Sequence, residues 1–124
     1  MKVLLIDDED DIRKVAELSL RAVGKFETCV ASGGREGMEI ARAEGPDLIL
    51  MDMMMPDLDG LGTLAELRRD PALAGIPVIF MTAKVQASEI EHYLSAGAIG
   101  VIKKPFDPMS LAGEVRRLLE AAEG

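Results

Sequence analysis

The chain has 124 residues, the size of one ordinary domain, and its 48% hydrophobic and 29% charged content supports a buried core and excludes an unfolded tail. With 22 acidic against 14 basic side chains the formal charge is −8, which argues against non-specific binding to nucleic acid or anionic membrane. The lone cysteine, Cys29, excludes an internal disulfide and suits a reducing cytoplasm, and one cysteine with one histidine excludes a structural zinc site built from those ligands.

Five short apolar runs punctuate the chain: Val3–Ile6, Phe26–Ala31, Leu48–Met51, Val78–Met81 and Val101–Ile102. None approaches the ~20 residues of a membrane span. The first is cut off at Asp7-Asp8, far short of a signal peptide. The first, third and fourth runs are continuously apolar, as strands buried on both faces are. After the first run, Ile12, Val15, Ala16 and Leu18 mark a helix that ends near Gly24. After the second, Gly33-Gly34 opens a weaker stripe carrying Met38 and Ala41, closed by Gly45-Pro46. Leu61, Leu64, Ala65 and Leu67 mark a third helix, and Gly75-Ile76-Pro77 leads into the fourth strand. Ser88 and Glu91 match a capping box for a fourth helix that carries Ile90, Tyr93 and Leu94 and ends near Gly97. Asp107-Pro108 reads as a cap and first turn for the clearest amphipathic helix, with Leu111, Ala112, Val115, Leu118, Leu119 and Ala122 on one stripe. Strand and helix thus alternate five times. Right-handed crossovers then give an α/β fold, a (βα)5 doubly wound parallel sheet with helices on both faces.

Polar residues stand where these strands stop. Asp7 and Asp8 follow the first, Asp52 the third, Thr82 the fourth and Lys104 the fifth. Open parallel sheets bind ligands at the carboxyl ends of their strands, so these side chains are expected to share one crevice. The second strand offers nothing of this kind and is placed at an edge. Like charges ~4 Å apart repel by about 4 kcal/mol at an effective dielectric of 20. A divalent cation removes that conflict, and hard oxygen ligands favour Mg²⁺. Lys104 and Thr82 add donors for an anion. Carboxylates, a metal, an ammonium and a hydroxyl suit phosphoryl transfer, with an aspartate as nucleophile.

Five motifs in this order resemble the response-regulator receiver domain of two-component signalling. They are Leu5-Ile6-Asp7-Asp8-Glu9, Leu48 through Gly60, Pro77 through Ala83, Ala96-Gly97-Ala98 and Lys103-Lys104-Pro105-Phe106. The resemblance runs from Met1 to about Ala122, so residues 1–124 read as one receiver domain. It implies a flavodoxin-like five-stranded sheet in the order 2-1-3-4-5. It also implies that Asp52 is the phosphoacceptor. Asp8, Asp52 and the main-chain carbonyl of Met54 would bind Mg²⁺ directly, and Asp7 would do so mostly through water. Thr82 would bond a phosphoryl oxygen. Lys104 would pair first with the carboxylates and then with the phosphoryl group, behind a cis bond to Pro105. The family's lysine directly precedes the proline. Strand side chains alternate, so Lys104 points inward and Lys103 is a surface charge.

The same resemblance implies a cytoplasmic phosphoprotein with no enzymatic turnover beyond its own phosphorylation and dephosphorylation. A sensor histidine kinase or histidine phosphotransfer protein would donate to Asp52, and an unspecified protein target would read the changed surface, without direct contact to nucleic acid or membrane. A monomer or weak dimer is expected. The chain stops shortly past the fifth helix with no DNA-binding module, which points to a single-domain regulator or relay intermediate, although a receiver excised from a longer regulator would read identically. Met54, two after Asp52, and Lys84, two after Thr82, occupy positions that influence phosphoaspartate hydrolysis in the family. Met54 is expected to obstruct water and Lys84 to attract phosphate-bearing partners. Where most receivers carry Tyr or Phe, this chain has Val101, so an aromatic rotamer switch at that position cannot operate. A degenerate interaction-only receiver therefore stays open.

Blander readings apply elsewhere. Glu9, Asp10 and Asp11 are capping and solubility residues. Asp57 and Asp59 are turn and cap residues. His92 is a solvated side chain, and Cys29 is packed core. A phosphatase of the haloacid-dehalogenase type needs a second Asp two positions after the nucleophile, where Met54 stands. A flavodoxin-like cofactor protein needs a phosphate-cradling loop where Asp7-Asp8 stand.

Overall fold

The computed structural model describes residues 1–123. Its elements run β1 (Lys2–Ile6), α1 (Asp10–Ala22), β2 (Glu27–Ala31), α2 (Gly34–Glu44), β3 (Leu48–Asp52), α3 (Gly60–Arg69), β4 (Val78–Thr82), α4 (Ala87–Ser95), β5 (Gly100–Lys103) and α5 (Leu111–Glu123). All pairings are parallel and the sheet order is β2-β1-β3-β4-β5, as the resemblance implies. The continuously apolar β3 and β4 are buried along their whole length, as interior strands covered on both faces must be. β2 takes the edge, where its half-exposed residues are tolerated.

Side-chain alternation splits the core in two. Leu4, Ile6, Ile49, Met51, Val78 and Phe80 face α2, α3 and α4, against Ala41, Leu64, Leu67 and Tyr93. Val3, Leu5, Leu48, Leu50, Ile79 and Met81 face α1 and α5, against Ala16, Leu20, Leu111, Val115 and Leu119. Complete burial of a Leu, Ile or Phe contributes about 1.5–3 kcal/mol, so two such layers hold the sheet rigid and fix where its strands end.

Several local expectations need correction. α1 buries Ala16, Ser19 and Leu20, whereas Val15 and Leu18 face solvent at 45% and 67% exposure. The stripe spaced four apart, Ala16–Leu20, is the one that meets the sheet. The capping box of α4 lies two residues earlier than Ser88/Glu91: the Glu89 carboxylate accepts the Gln86 N–H at 3.2 Å. Asp107 does cap, its Oδ1 accepting the Met109 N–H at 2.8 Å, but regular helix begins only at Leu111. Gly45 closes α2 in the left-handed conformation with φ +57°, which glycine adopts without a Cβ clash. After α1 it is Lys25, at φ +59°, that takes this conformation. Gly24 instead lets α5 approach, since a Cβ there would lie 2.7 Å from that of Ala112.

Candidate functional site

Strand register determines which side chains meet at the carboxyl edge. Asp7 is the first residue past β1, and its N–H extends the β1–β2 ladder to the Ala31 carbonyl at 3.1 Å. Asp52 is the last residue of β3. Counting alternation from Leu5, Leu50 and Ile102 puts Asp7, Asp52 and Lys104 on the α1/α5 side and Lys103 on the other. The geometry agrees. Lys104 Nζ lies 2.9 Å from Asp7 Oδ2 and 3.3 Å from Asp52 Oδ1, with Glu9 Oε1 at 3.8 Å, while Lys103 is exposed. The Lys104–Pro105 peptide bond is cis. The Lys104 N–H also donates to the Thr82 carbonyl at 2.9 Å, which fixes the lysine against β4.

The electrostatics of this corner are unbalanced. Asp7 is fully buried and Asp52 is 3% exposed. Carboxylate oxygens of Asp7, Asp8 and Asp52 all lie within 4.8 Å of one another, and Asp8 Oδ1 is buried with no hydrogen-bond partner. Burial pushes the Asp52 carboxyl up to about 6; Lys104 pulls it down and Asp7 pushes it further up. Burial works to lower Lys104, but its hydrogen bond to Asp7 and the charges of Asp7 and Asp52 outweigh this and raise it. One ammonium thus faces three carboxylates. A buried acceptor left unpaired costs about 1–3 kcal/mol. A small divalent cation would satisfy that acceptor and offset the excess charge.

The loop after β3 holds Asp52 in place. The Met53 N–H donates to the Met81 carbonyl at 3.0 Å, and the Met53 carbonyl accepts from Gly60 at 2.9 Å. A Cβ on Gly60 would lie 2.9 Å from Met53 Cα, so only glycine lets α3 start this close to the sheet. Asp59 caps α3 by accepting the Gly62 N–H at 2.7 Å, and Asp57 turns the chain at φ +66°, both as expected of cap and turn residues. The Met54 N–H points to Asp52 Oδ1 at 3.4 Å, and its side chain is exposed. Met54 and Lys84 line one groove of about 330 Å³, so the two positions do flank the same opening.

Thr82 ends β4, buried, with its Oγ1 accepting the Lys84 N–H at 3.1 Å. Val101 is partly buried against the α3/α4-side core. The nearby aromatic is Tyr93 of α4, packed edge-on against Phe80 with ring centroids 5.8 Å apart. The Arg68 guanidinium donates to the Ala74, Ile76 and Gly97 carbonyls and so ties α3 to the end of α4. Neither role was legible in the sequence. Tyr93 carried a faint signal, as the only tyrosine and on the inner stripe of its helix; Arg68 carried none. His92 is exposed, and Cys29 is half-buried with its thiol pushed up by burial, as a packing residue should be.

Comparison with known proteins agrees with this geometry. The family model of the response regulator receiver domain matches residues 3–116. A probable transcriptional regulator, ycf27, of Porphyra purpurea is 38% identical over 98% of this chain and 49% of its own length. The DNA-binding response regulator MtrA of Mycolicibacterium smegmatis is 32% identical over 98% of this chain and 52% of its own. The chain therefore spans about half the length of the curated relatives it matches. The solved chemotaxis response regulator CheY4 of Vibrio cholerae superposes with a TM-score of 0.86 at 28% identity, covering 94% of this chain and 97% of that one. Among the described residues no helix is long and apolar enough to cross a membrane. By its sequence, by its sheet order and by the acids and lysine at the carboxyl edge of that sheet, this chain belongs to the response-regulator receiver domain family.

Proposed function

We propose that this receiver accepts a phosphoryl group on Asp52 from a phosphohistidine of a cytoplasmic kinase or phosphotransfer protein, and that the added charge alters the surface a partner reads. The observation that carries this reading is the clustering of the Asp7, Asp8 and Asp52 carboxylates, with the Lys104 ammonium on Asp7 and Asp52 and a buried Asp8 oxygen unsatisfied. Asp52, with its carboxyl at about 6, is mostly ionised at neutral pH and able to attack phosphorus. As its oxygen forms the new P–O bond, the P–N bond of the donor breaks and the imidazole keeps the electron pair. Lys104 leaves the carboxylates to pair with a phosphoryl oxygen, and the Thr82 hydroxyl donates to another. Water attack on the phosphoaspartate later resets the site.

The hard oxygen donors and the unpaired acceptor fit Mg²⁺. Asp8, Asp52 and the Met54 carbonyl would hold the ion, with Asp7 acting mostly through water. When bound, the ion neutralises charge that develops on the phosphoryl oxygens.

Beside Lys104 an apolar groove of about 220 Å³ is lined by Ile12, Val15, Pro105 and Phe106. The exposed Val15 lies on the same side of the molecule as Asp7, Asp52 and Lys104, and this groove is where the donor protein seats while its histidine reaches Asp52. On the output side, Val101 supplies no rotating ring, so movement passes from Thr82 through Lys84 to α4.

A second reading is a receiver joined to a DNA-binding module. It is favoured by the names of the relatives and by the half of their length that this chain spans. The phosphoacceptor chemistry is common to both. Incubation with acetyl phosphate and Mg²⁺, read by intact mass, tests it. One phosphoryl group is expected on the wild type and none on Asp52→Ala; an uncharged wild type refutes the reading.

A further inference from the structure

Three consecutive methionines follow Asp52, and their surroundings differ. Met53 and Met55 are 4% and 8% exposed, whereas Met54 is 60% exposed. The Met54 N–H is directed at Asp52 Oδ1, so its side chain leaves the backbone at the rim of the acidic pocket. It lies along the groove that also holds Lys84, Asp59 and His92. Only Met1 and Met109, at 51% and 73%, match it in exposure, while Met51 and Met81 are fully buried. Of the three methionines that follow Asp52, Met54 is therefore the one whose thioether is open to solvent, beside the acidic pocket.

A thioether beside the pocket is apolar and holds no water. Its sulfur is also open to two-electron oxidation, which turns an apolar side chain into one with a strong acceptor oxygen. We propose that Met54 is an oxidation-sensitive cover of the phosphoacceptor pocket: a peroxide converts it to the sulfoxide and thereby shortens the life of the phosphoaspartate. In the step, a sulfur lone pair attacks one peroxide oxygen, the S–O bond forms and the O–O bond breaks. The sulfur is oxidised, the peroxide is reduced, and its second oxygen leaves as water after proton transfer. The new S=O accepts hydrogen bonds from water or from the Lys84 ammonium in the same groove, and so draws solvent to the phosphorus that the thioether had screened. The inference rests on Asp52 being the phosphoacceptor.

The test treats the protein with a limited excess of hydrogen peroxide and locates oxidation by fragment-ion mass. Met1, Met54 and Met109 are expected to oxidise, while Met51, Met53, Met55 and Met81 stay reduced. Oxidised and untreated proteins are then charged with acetyl phosphate and Mg²⁺, and loss of the phosphoryl mass is followed after donor removal. A water held by one ordinary hydrogen bond corresponds to about three- to tenfold faster decay in the oxidised protein. Methionine sulfoxide reductase should return the rate to the untreated value. In Met54→Leu, peroxide still oxidises Met109, and decay should stay at that variant's own untreated rate. Unchanged decay at full Met54 oxidation, an equal peroxide effect in Met54→Leu, or oxidation of the buried methionines ahead of Met54 each overturns the proposal while phosphorylation of untreated protein stands. Absence of any phosphoryl gain on untreated wild type overturns the phosphoacceptor reading itself, and this proposal with it.

Discussion

The two ends of the sheet handle charge in opposite ways. At the amino end, Lys2 meets its partners in solvent: its N–H donates to Asp47 Oδ2 at 2.8 Å and its Nζ lies 3.1 Å from Glu44 Oε1. At the carboxyl end, one ammonium is shared among buried carboxylates and an acceptor is left over. Between them lie two layers of buried, mostly aliphatic side chains. The amino end is arranged for folding alone. The carboxyl end holds charges that folding does not balance, and the apolar layers keep them together.

The largest effect should come from breaking the layer beneath the site. Phe80 is fully buried and packs on Tyr93, so Phe80→Ala should lose about 3–5 kcal/mol of unfolding free energy in a urea titration. A loss below about 1 kcal/mol would mean the site does not depend on this layer as described.

How much of this contrast is written in the sequence depends on how local each signal is. Leu48–Met51 and Val78–Met81 read as buried strands because every residue in them is apolar, whichever face it takes. Asp52 and Thr82 read as site residues because they terminate such runs, whereas the choice of Lys104 over its neighbour Lys103 came from family resemblance. The edge placement of the second strand followed from its lack of a polar terminus, whereas the strand order came from family resemblance. The α1 stripe was misread because Val15 and Leu18 are as hydrophobic as a core residue, and only the docked helix reveals which face is covered. The α4 cap slipped because Gln86/Glu89 and Ser88/Glu91 have the same spacing. Gly60, Arg68 and the orphaned Asp8 oxygen depend on atoms brought close by folding, and no spacing encodes them.

Next in size is the shared ammonium. Lys104→Met leaves Asp7 and Asp52 buried without their cation, and breaking such a pair costs about 3 kcal/mol or more. The metal-free variant should melt well below the wild type at pH 7. Added Mg²⁺ should recover more of the loss than it adds to wild type, because the ion takes over the missing positive charge. Equal Mg²⁺ effects on both proteins would argue against a shared role.

A smaller and pH-dependent effect belongs to Asp52. Its folded carboxyl sits at about 6, above an unfolded value near 3.9, so the folded state binds the proton more tightly. Its contribution to stability is therefore fully present below about pH 4 and lost as pH rises through about 6, roughly 2–3 kcal/mol in all. Asp52→Asn cannot ionise. Without metal, the variant should gain on the wild type steadily between pH 4 and 7, as measured by paired urea titrations. A flat difference across that range would show that Lys104 fully offsets the burial of Asp52.

The smallest effect should come from the opposite end. Lys2→Ala deletes the Glu44 ion pair but keeps the main-chain N–H to Asp47, and the side chains involved are open to solvent. Exposed pairs contribute little because water screens the attraction and ordering two long side chains opposes it. Proximity to Glu44 raises the lysine further above its ordinary value, so it stays charged throughout the physiological range and adds no pH dependence there. Thermal melting of Lys2→Ala at low and high salt should therefore track the wild type closely. A salt-sensitive drop as large as that of Lys104→Met would erase the distinction between the two ends, since cations at either end would then matter equally to the fold.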